Sequence, residues 1–304
     1  MTERRVAGVE LGGTKIIAVI GEGRNILARD QWSTGDDPAT VLATVAAWLE
    51  QQQADLGFEA LGIASFGPIC LDRADPRYGH ILTTPKRGWS GADVVGTLGG
   101  GLDVAVGFDT DVAGAALAEG QWGAAVGCTV HVYLTIGTGI GGGIIVDGKP
   151  LHGALHPEIG HVRVRRALGD TFAGICPFHG DCLEGLAAGP AIAARAGRPA
   201  HDLPPDHPVW NLVVGEIAEA LHMLILSLSP QRIVIGGGVG HGQAHLLPRI
   251  RAATAACLNA YLPNRSVADL EEVITGARLG DEAGILGSIA LAQRTLASGN
   301  SNLA

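Results

Sequence analysis

Four side chains of the kind that bind metal ions lie close together between residues 156 and 184. Cys176, His179 and Cys182 follow one another at intervals of three residues, and His161 precedes Cys176 by fifteen. Thiolate sulfur and neutral imidazole are the ligands that Zn²⁺ prefers, and four of them complete a tetrahedron with no open position for water. The spacing therefore predicts a structural zinc site. The alternative is a reduced, partly exposed pair of cysteines.

Carboxylates that could do acid–base chemistry occur in two places. Glu158 and Glu184 flank the metal-ligand candidates, so a bound metal would also hold these two acids in place. Asp109 and Asp111 follow a predicted strand at 104–108 and lead into a predicted helix at 112–120. Acids at this position of α/β folds often carry the chemistry. The alternative is that one of them caps the helix.

Three glycine-rich segments could bind phosphate through exposed backbone N–H groups. Residues 12–15 join predicted strands at 5–11 and 16–20, and Thr14 and Lys15 add a hydroxyl and a positive charge. The spacing of a Walker A loop and its following helix are missing, so a plain hairpin turn is the alternative. The second segment, 136–143, lies between predicted strands at 130–135 and 144–148. The third, 236–240, separates a predicted strand at 232–235 from a predicted helix at 245–258.

The first two of these segments look like copies of one motif. Gly137, Gly139 and Gly142 fit the pattern GxGxxG, but a strand follows them where a dinucleotide-binding fold needs a helix. Both segments instead show the order strand, glycine turn, strand, glycine turn, about 125 residues apart. The repeat predicts a duplicated domain with a cleft between its halves, in which a phosphate tail is held from both sides.

Composition and charge restrict the class of protein. The chain has 304 residues, 47% of them hydrophobic and 17% charged, and is long enough for two domains. Its net charge of −9 argues against nucleic acid or an anionic membrane as partner. We find no run of about 18 apolar residues, no secretory signal at the start and no disulfide framework in five cysteines. A soluble, cytoplasmic protein is expected. Other predicted elements are helices at 38–53, 189–196, 210–228 and 281–298, a strand at 61–65 and a loop at 72–89.

Taken together, the motifs resemble those of the ROK sugar kinases (repressor, open reading frame, kinase), and within them the bacterial fructokinase-like branch. The resemblance implies an α/β, actin-like (ribonuclease H-like) fold with two domains around a nucleotide and sugar cleft. The first domain would comprise 1–111, completed by the C-terminal helix 281–304, and the second 112–280 with the zinc loop 156–184. The matching segments are LGGTK at 11–15, GIASFGPI at 62–69, TPKRGW at 84–89, FDTDV at 108–112, TIGTGIGG at 135–142, EIGH at 158–161, CPFHGDCLEG at 176–185 and GGGV at 236–239.

The resemblance also implies an activity, the ATP- and Mg²⁺-dependent phosphorylation of a hexose, with D-fructose to fructose 6-phosphate as the first expectation. Asp111 would be the general base for the sugar hydroxyl, and the family suggests a homodimer. The other implied contacts are sugar hydroxyls with Thr110, Glu158, His161 and Glu184; nucleotide phosphates with Gly12, Gly13, Thr14, Lys15, Gly137, Thr138, Gly139, Gly237 and Gly238; and structural Zn²⁺ with His161, Cys176, His179 and Cys182.

The chain departs from the family pattern beside two of these positions. Glu10 stands where many members have Asp, next to an expected water-mediated contact to Mg²⁺. Thr110 and Ala113 replace asparagines that are common around the catalytic acid in the glucose-type members. The identity of the sugar therefore stays open. Mannose, glucose, allose and amino sugars are alternatives, and so is a sugar-binding regulator without turnover.

Overall fold

Two compact units make up the structure, a computed structural model that describes residues 4–300. Unit 1 contains the chain up to Ala118, the short segment Pro150–His156 and the chain from Glu282 onward, and unit 2 contains Glu119–Lys149 and Pro157–Asp281. The domain ranges inferred from the family, 1–111 with 281–304 and 112–280, stay a prediction.

The described chain contains strands and helices in mixed order, with a run of three strands near the start of each unit. The strands are β1 (Arg5–Leu11), β2 (Lys15–Glu22), β3 (Asn25–Ser33), β4 (Ala60–Ser65), β5 (Ala105–Thr110), β6 (Val130–Ile136), β7 (Ile140–Val146), β8 (Lys149–Pro150), β9 (Arg232–Gly236) and β10 (Ile274–Gly276). The helices are α1 (Pro38–Asp55), α2 (Val94–Gly99), α3 (Asp111–Trp122), α4 (Leu183–Ala187), α5 (Gly189–Ala196), α6 (Val209–Leu228), α7 (Gly237–Gly242), α8 (Leu246–Leu258), α9 (Leu270–Val273) and α10 (Ala283–Asn300).

Unit 1 is built on a mixed sheet with the strand order β3-β2-β1-β4-β5. The first three strands run antiparallel, whereas β4 is parallel to β1 and β5 is parallel to β4. Strands β1, β2 and β4 are almost continuously buried, which is typical of strands covered on both faces. The carboxyl ends of β1, β4 and β5 consequently lie along the same edge, where Glu10, Ser65 and Thr110 occur.

The last helix, α10, lies directly on the middle strands of this sheet because those strands carry glycine. A Cβ atom on Gly62 in β4 would overlap the Ser288 carbonyl oxygen, and one on Gly8 in β1 would overlap the Ser288 hydroxyl. On the helix itself, a Cβ atom on Gly287 would overlap the backbone of Gly114 in α3. These close approaches let α10 pack against both the sheet and the helix that begins at Asp111.

Unit 2 repeats this sheet. Its order is β10-β9-β6-β7-β8, with β6 and β7 antiparallel and β6, β9 and β10 parallel. Written in the reverse direction, the order in unit 2 is β8-β7-β6-β9-β10. It matches β3-β2-β1-β4-β5 strand for strand, because in both sheets the glycine hairpin joins the second and third strands. The duplication predicted from the two hairpins is therefore confirmed at the level of topology.

Helix α6 forms much of the core of unit 2. By length and composition it could cross a membrane, which sequence analysis did not foresee, but 61% of its most apolar stretch is buried inside the structure. The buried side chains include Trp210, Val213, Leu221 and Ile225. This burial is what the core helix of a soluble protein shows.

Two glycine-rich segments differ from their predicted structure. Strand β7 begins at Ile140 instead of residue 144, so the glycines at 141–143 are paired with β6. A Cβ atom on Gly142 would lie 2.5 Å from the Ile159 side chain, so glycine serves close packing there and not a turn. The predicted glycine turn at 236–240 is different in the structure, because Gly236 ends β9 and residues from Gly237 onward form the short helix α7. Helix α2 has no predicted counterpart.

Candidate functional site

The junction between β5 and α3 places three polar residues of unit 1 in succession. The Thr110 hydroxyl accepts a hydrogen bond from the Ala113 N–H at 3.1 Å, so Thr110 caps the helix and the alternative of an Asp109 or Asp111 cap is wrong. The Asp111 carboxylate accepts from the Val112 N–H at 2.8 Å and is half-buried. A carboxylate is thereby held at the first turn of α3, where the helix dipole favours negative charge.

Asp109 is buried at the same junction. Its Oδ1 accepts a hydrogen bond from the Thr110 N–H at 2.8 Å and lies 3.1 Å from His152 Nε2. His152 belongs to the segment Pro150–His156, whose last residue accepts a hydrogen bond at Nε2 from the Ile69 N–H at 3.1 Å. Sequence analysis missed both histidines, because no local pattern links residues 43 and 87 positions apart.

Hydrogen bonds hold the backbone of the first glycine turn in place, while three of its residues are exposed. The Gly12 N–H donates to the Lys15 carbonyl at 2.9 Å and the Thr34 N–H to the Thr14 carbonyl at 3.0 Å, while the buried Thr34 hydroxyl donates to the Gly12 carbonyl at 2.7 Å. Gly13, Thr14 and Lys15 stay exposed. The turn therefore presents N–H groups, a hydroxyl and an ammonium group to solvent, as a phosphate site requires.

Glu10 precedes that turn by two residues and lies one residue before the end of β1. Burial raises the pKa of its carboxyl group, while the charges of Lys15 and Arg29 act in the opposite direction. A Cβ atom on Gly284 would overlap the carboxylate, so this end of α10 must be glycine for Glu10 to fit. The acid expected near Mg²⁺ is thus enclosed between β1 and α10.

The second glycine turn, in unit 2, holds one of the predicted sugar ligands. The Gly137 N–H donates to the Gly139 carbonyl at 2.9 Å, and the Gly189 N–H donates to the Gly137 carbonyl at 2.8 Å. The Ile140 N–H donates to Glu184 Oε2 at 2.9 Å. The loop that carries exposed Thr138 is therefore tied to both α4 and α5.

The predicted nucleotide contacts Gly237 and Gly238 lie beside this turn. Gly237 has φ +80°, and a Cβ atom there would lie 2.6 Å from the backbone of Ile136. A Cβ atom on Gly137 would lie 3.6 Å from the Gly238 nitrogen. Two stretches of bare backbone from β6 and β9 thus adjoin, as binding of a phosphate or a flat ring would need.

The environment of Glu158 in unit 2 includes the charge of Glu184. Desolvation raises the pKa of the Glu158 carboxyl group, and the charge of Glu184 raises it further. Solvent still reaches the Glu158 side chain, so the desolvation comes from crowding around the carboxylate and not from full burial. Two acids kept this close can accept hydrogen bonds from neighbouring hydroxyl groups of one ligand.

The four predicted metal ligands converge. One ligand atom from each of His161, Cys176, His179 and Cys182 lies within 4.8 Å of all the others. Nδ1 of His161 is 3.7 Å from the Cys176 sulfur and 3.5 Å from the Cys182 sulfur, and Nδ1 of His179 is 3.7 Å from the Cys176 sulfur. A tetrahedron with zinc–ligand bonds of about 2.0–2.3 Å has edges of about 3.3–3.8 Å. The donor set and its spacing fit Zn²⁺.

A network of ion pairs holds the loop that carries these ligands. Arg195 in α5 contacts Asp170 at 2.9 Å and Glu216 in α6 at 2.7 Å, and all three side chains are at most 7% exposed. Arg166 contacts Asp170 at 3.0 Å and Asp181 at 3.4 Å. Asp181 directly precedes the metal-ligand candidate Cys182. The ligand loop is therefore anchored to two helices of unit 2. Sequence analysis missed this anchor.

Comparison with known proteins agrees with this architecture. The model of the ROK family matches residues 6–295. Fructokinase from Zymomonas mobilis is 41% identical over 297 residues, which cover 95% of this chain and 97% of that protein. Fructokinase from Pediococcus pentosaceus is 39% identical over 291 residues, covering 96% and 98%.

The fold is shared with solved structures of the family. The ROK hexokinase from Thermus thermophilus superposes with a TM-score of 0.77 at 28% identity and covers 97% of this chain and 100% of its own. A ROK glucokinase from Streptomyces griseus, solved with glucose and AMPPNP, has a TM-score of 0.73 at 24% identity, covering 95% and 99%. The predicted α/β, actin-like fold is confirmed. The chain belongs to the ROK family.

Proposed function

We propose that this chain is an ATP-dependent hexose kinase whose sugar is D-fructose and whose product is fructose 6-phosphate. The observation that supports this most strongly is similarity of about 40% over nearly the whole chain to proteins named fructokinase. The acid expected to be the base, Asp111, begins a helix at the carboxyl end of a sheet strand. Acids there commonly carry chemistry in α/β folds.

Asp111 accepts the proton of the sugar hydroxyl as its oxygen attacks the γ-phosphoryl group of ATP in line. The capping bond from Ala113 to Thr110 and the bond from Val112 to Asp111 restrict the carboxylate to one side of the helix start. Glu158, His161 and Glu184 hold sugar hydroxyls, with Thr110 beside the base. The expected family roles of Gly12, Gly13, Thr14 and Lys15 on one glycine turn, and of Gly137, Thr138 and Gly139 on the other, are phosphate contacts.

Two metal ions accompany the reaction in this proposal. Mg²⁺, when bound to ATP, neutralises the charge of the phosphates, and Glu10 would hold it through water. Zn²⁺ would be structural and bound by His161, Cys176, His179 and Cys182, since four protein ligands leave no position for a reacting water. We also propose a cytoplasmic homodimer with the domain ranges 1–111 plus 281–304 and 112–280.

Turnover on a panel of hexoses tests the proposal. ADP release with Mg-ATP should be fastest with fructose and much slower with mannose, glucose, allose and N-acetylated hexosamines. Asp111→Asn should lower turnover by about a thousandfold or more, because the attacking hydroxyl loses its proton acceptor, while sugar binding is retained. Faster turnover on another hexose would change the substrate and keep the mechanism. A complete lack of turnover, with sugar bound, would favour a sugar-responsive regulator.

A further inference from the structure

Asp109 is a buried carboxylate two residues before the proposed base, and helix capping does not explain it, because Thr110 performs that task. Its side chain is only 5% exposed. A buried carboxylate is costly unless it is hydrogen-bonded and paired with a cation or a donor. Asp109 therefore needs hydrogen-bond partners, and its presence at this buried position needs an explanation.

Its partners come from the backbone and from a distant segment. Oδ1 accepts from the Thr110 N–H at 2.8 Å and faces His152 Nε2 at 3.1 Å. Burial lowers the pKa of Arg294 in α10, and the charge of Asp109 partly offsets that lowering. Arg294 is therefore attracted to Asp109 as well. Asp109 likewise adds to the raised pKa of Tyr78, which burial causes first. Asp109 thus lies near several polar and charged groups of unit 1.

The segment that supplies His152 is attached at a second point. His156 is buried, and its Nε2 accepts a hydrogen bond from the Ile69 N–H. An accepting Nε2 carries no proton, so His156 has the Nδ1–H form in this bond. His152 and His156 therefore fasten both ends of Pro150–His156 to unit 1.

We propose that His152 and Asp109 are a positioning pair for Asp111. His152 fixes the Asp109 carboxylate, and that carboxylate fixes the Thr110 N–H. This N–H belongs to the peptide group that joins Asp109 to Thr110, and the next peptide group along the chain leads into Asp111. Neither residue contacts a reactant; together they set the direction in which the base points. This inference rests on the proposed function, in which Asp111 removes the proton.

A purely structural role of the His152–Asp109 pair predicts different kinetics from a positioning role. If the pair only fastens the segment Pro150–His156, its loss should weaken folding or the binding of sugar, because Glu158 follows two residues after His156. If the pair orients the base, its loss should lower kcat and leave binding intact, since displacement of a catalytic group by about 1 Å can cost about a hundredfold in rate.

The test compares His152→Ala, His152→Gln and Asp109→Asn in the full chain. His152→Ala should lower kcat by about ten- to hundredfold, with KM for fructose and ATP within about twofold of the wild type. His152→Gln, whose amide can still donate to Asp109, should regain most of the rate. The control is His80→Ala, because His80 also faces a carboxylate of unit 1, Asp93 at 3.9 Å, with a similarly exposed side chain.

Three results would contradict the positioning role of His152 and Asp109. Unchanged kcat in His152→Ala, with Asp111→Asn inactive, would remove the positioning role and leave the base assignment intact. A raised KM and a lowered melting temperature with normal kcat would assign the pair to folding alone. Losses that multiply in His152→Ala/Asp109→Asn would show two independent groups. Normal turnover of Asp111→Asn, by contrast, would remove the proposed base itself.

Discussion

Neighbouring carboxylates at the β5–α3 junction have different environments and therefore suit different tasks. Asp109 is enclosed and engaged by the Thr110 N–H and by His152, so it can hold backbone in place. Asp111 is half-buried at the start of a helix, so a reactant can reach it. In our proposals Asp109 supports the backbone and Asp111 takes the proton, and these different environments are not visible in the local sequence, where both aspartates follow the same predicted strand.

Glu10 makes a stability prediction that depends on pH. Because burial raises its pKa in the folded chain, the folded state binds this proton more tightly than the unfolded state does. The favourable contribution is complete below the ordinary pKa of a glutamate and is lost as pH rises through the higher folded value. Glu10→Gln should therefore unfold at higher urea concentration than the wild type at about pH 7.5, with little difference at about pH 4.

A matched variant separates this effect from a general loss of negative charge. Glu50 is exposed on α1, and Glu50→Gln should change the urea midpoint equally at both pH values. If Glu10→Gln were no more stable than the wild type at neutral pH, the carboxylate would have to be compensated by its neighbours in the folded chain. Glu10→Gln should at the same time lose affinity for Mg-ATP.

At the scale of single elements, glycine has opposite effects in a strand and in a helix. Gly62→Ala in β4 should destabilise the chain by about 2 kcal/mol or more, because its Cβ would overlap backbone atoms of Ser288 and Ala292 in α10. Gly215 in α6 has open space around it, so Gly215→Ala should stabilise by about 0.5–1 kcal/mol through helix propensity. Urea unfolding of both variants measures the difference; a stabilised Gly62→Ala would disprove the packing of α10 on β4.

The zinc loop gives a second prediction at this scale. The wild type should contain about one zinc ion per chain and Cys176→Ala almost none, since three ligands hold the metal far less tightly than four. Loss of the metal should raise KM for fructose, because His161 and Glu184 lie on the same loop and helix. Cys128→Ala, which removes a half-exposed thiol elsewhere in unit 2, should keep its zinc. A metal-free Cys176→Ala with normal melting temperature and KM would contradict the structural role.

Local patterns predict some elements of this chain well and others badly, for physical reasons. Apolar runs such as residues 5–11 and 130–135 form the strands they predict, because alternation and β-branched side chains are local properties. The glycines at 141–143 and 237–240 are predicted in turns, yet they form strand and helix. Gly142 packs against Ile159 and Gly237 against the Ile136 backbone, and such tertiary contacts are not visible in a local pattern. Likewise, the four metal ligands could be read from spacing, whereas the Asp109–His152 and Arg195–Glu216 pairs join residues far apart in the chain.

At the scale of the whole molecule, one sheet topology occurs twice and each copy contributes a glycine hairpin. The first turn, at Gly12–Lys15, closes with the Gly12 N–H on the Lys15 carbonyl, and the second closes one residue shorter, with the Gly137 N–H on the Gly139 carbonyl. The copies also differ in charge: where the first has Glu10 in its strand and Lys15 at the end of its turn, the second has Thr135 and Ile140 when residues 9–15 are aligned with 134–140. The two copies therefore share a topology and differ in charge, and the ionic groups occur in the first copy.

Ligand binding should stabilise the whole fold in a way that separates binding from catalysis. A sugar that binds only the folded state stabilises it by about 2.7 kcal/mol at a hundred times its Kd, which corresponds to about 5 °C in melting temperature for a chain of this size. Fructose should produce this shift in the wild type and equally in Asp111→Asn, because the base is used in the reaction and not in binding. Cys176→Ala should show a smaller shift, since the loop with His161 and Glu184 is no longer held by metal.

Mannitol at the same concentration measures non-specific stabilisation by a polyol. Equal shifts with mannitol and fructose would argue against a fructose site, and a shift lost in Asp111→Asn would make Asp111 a binding residue.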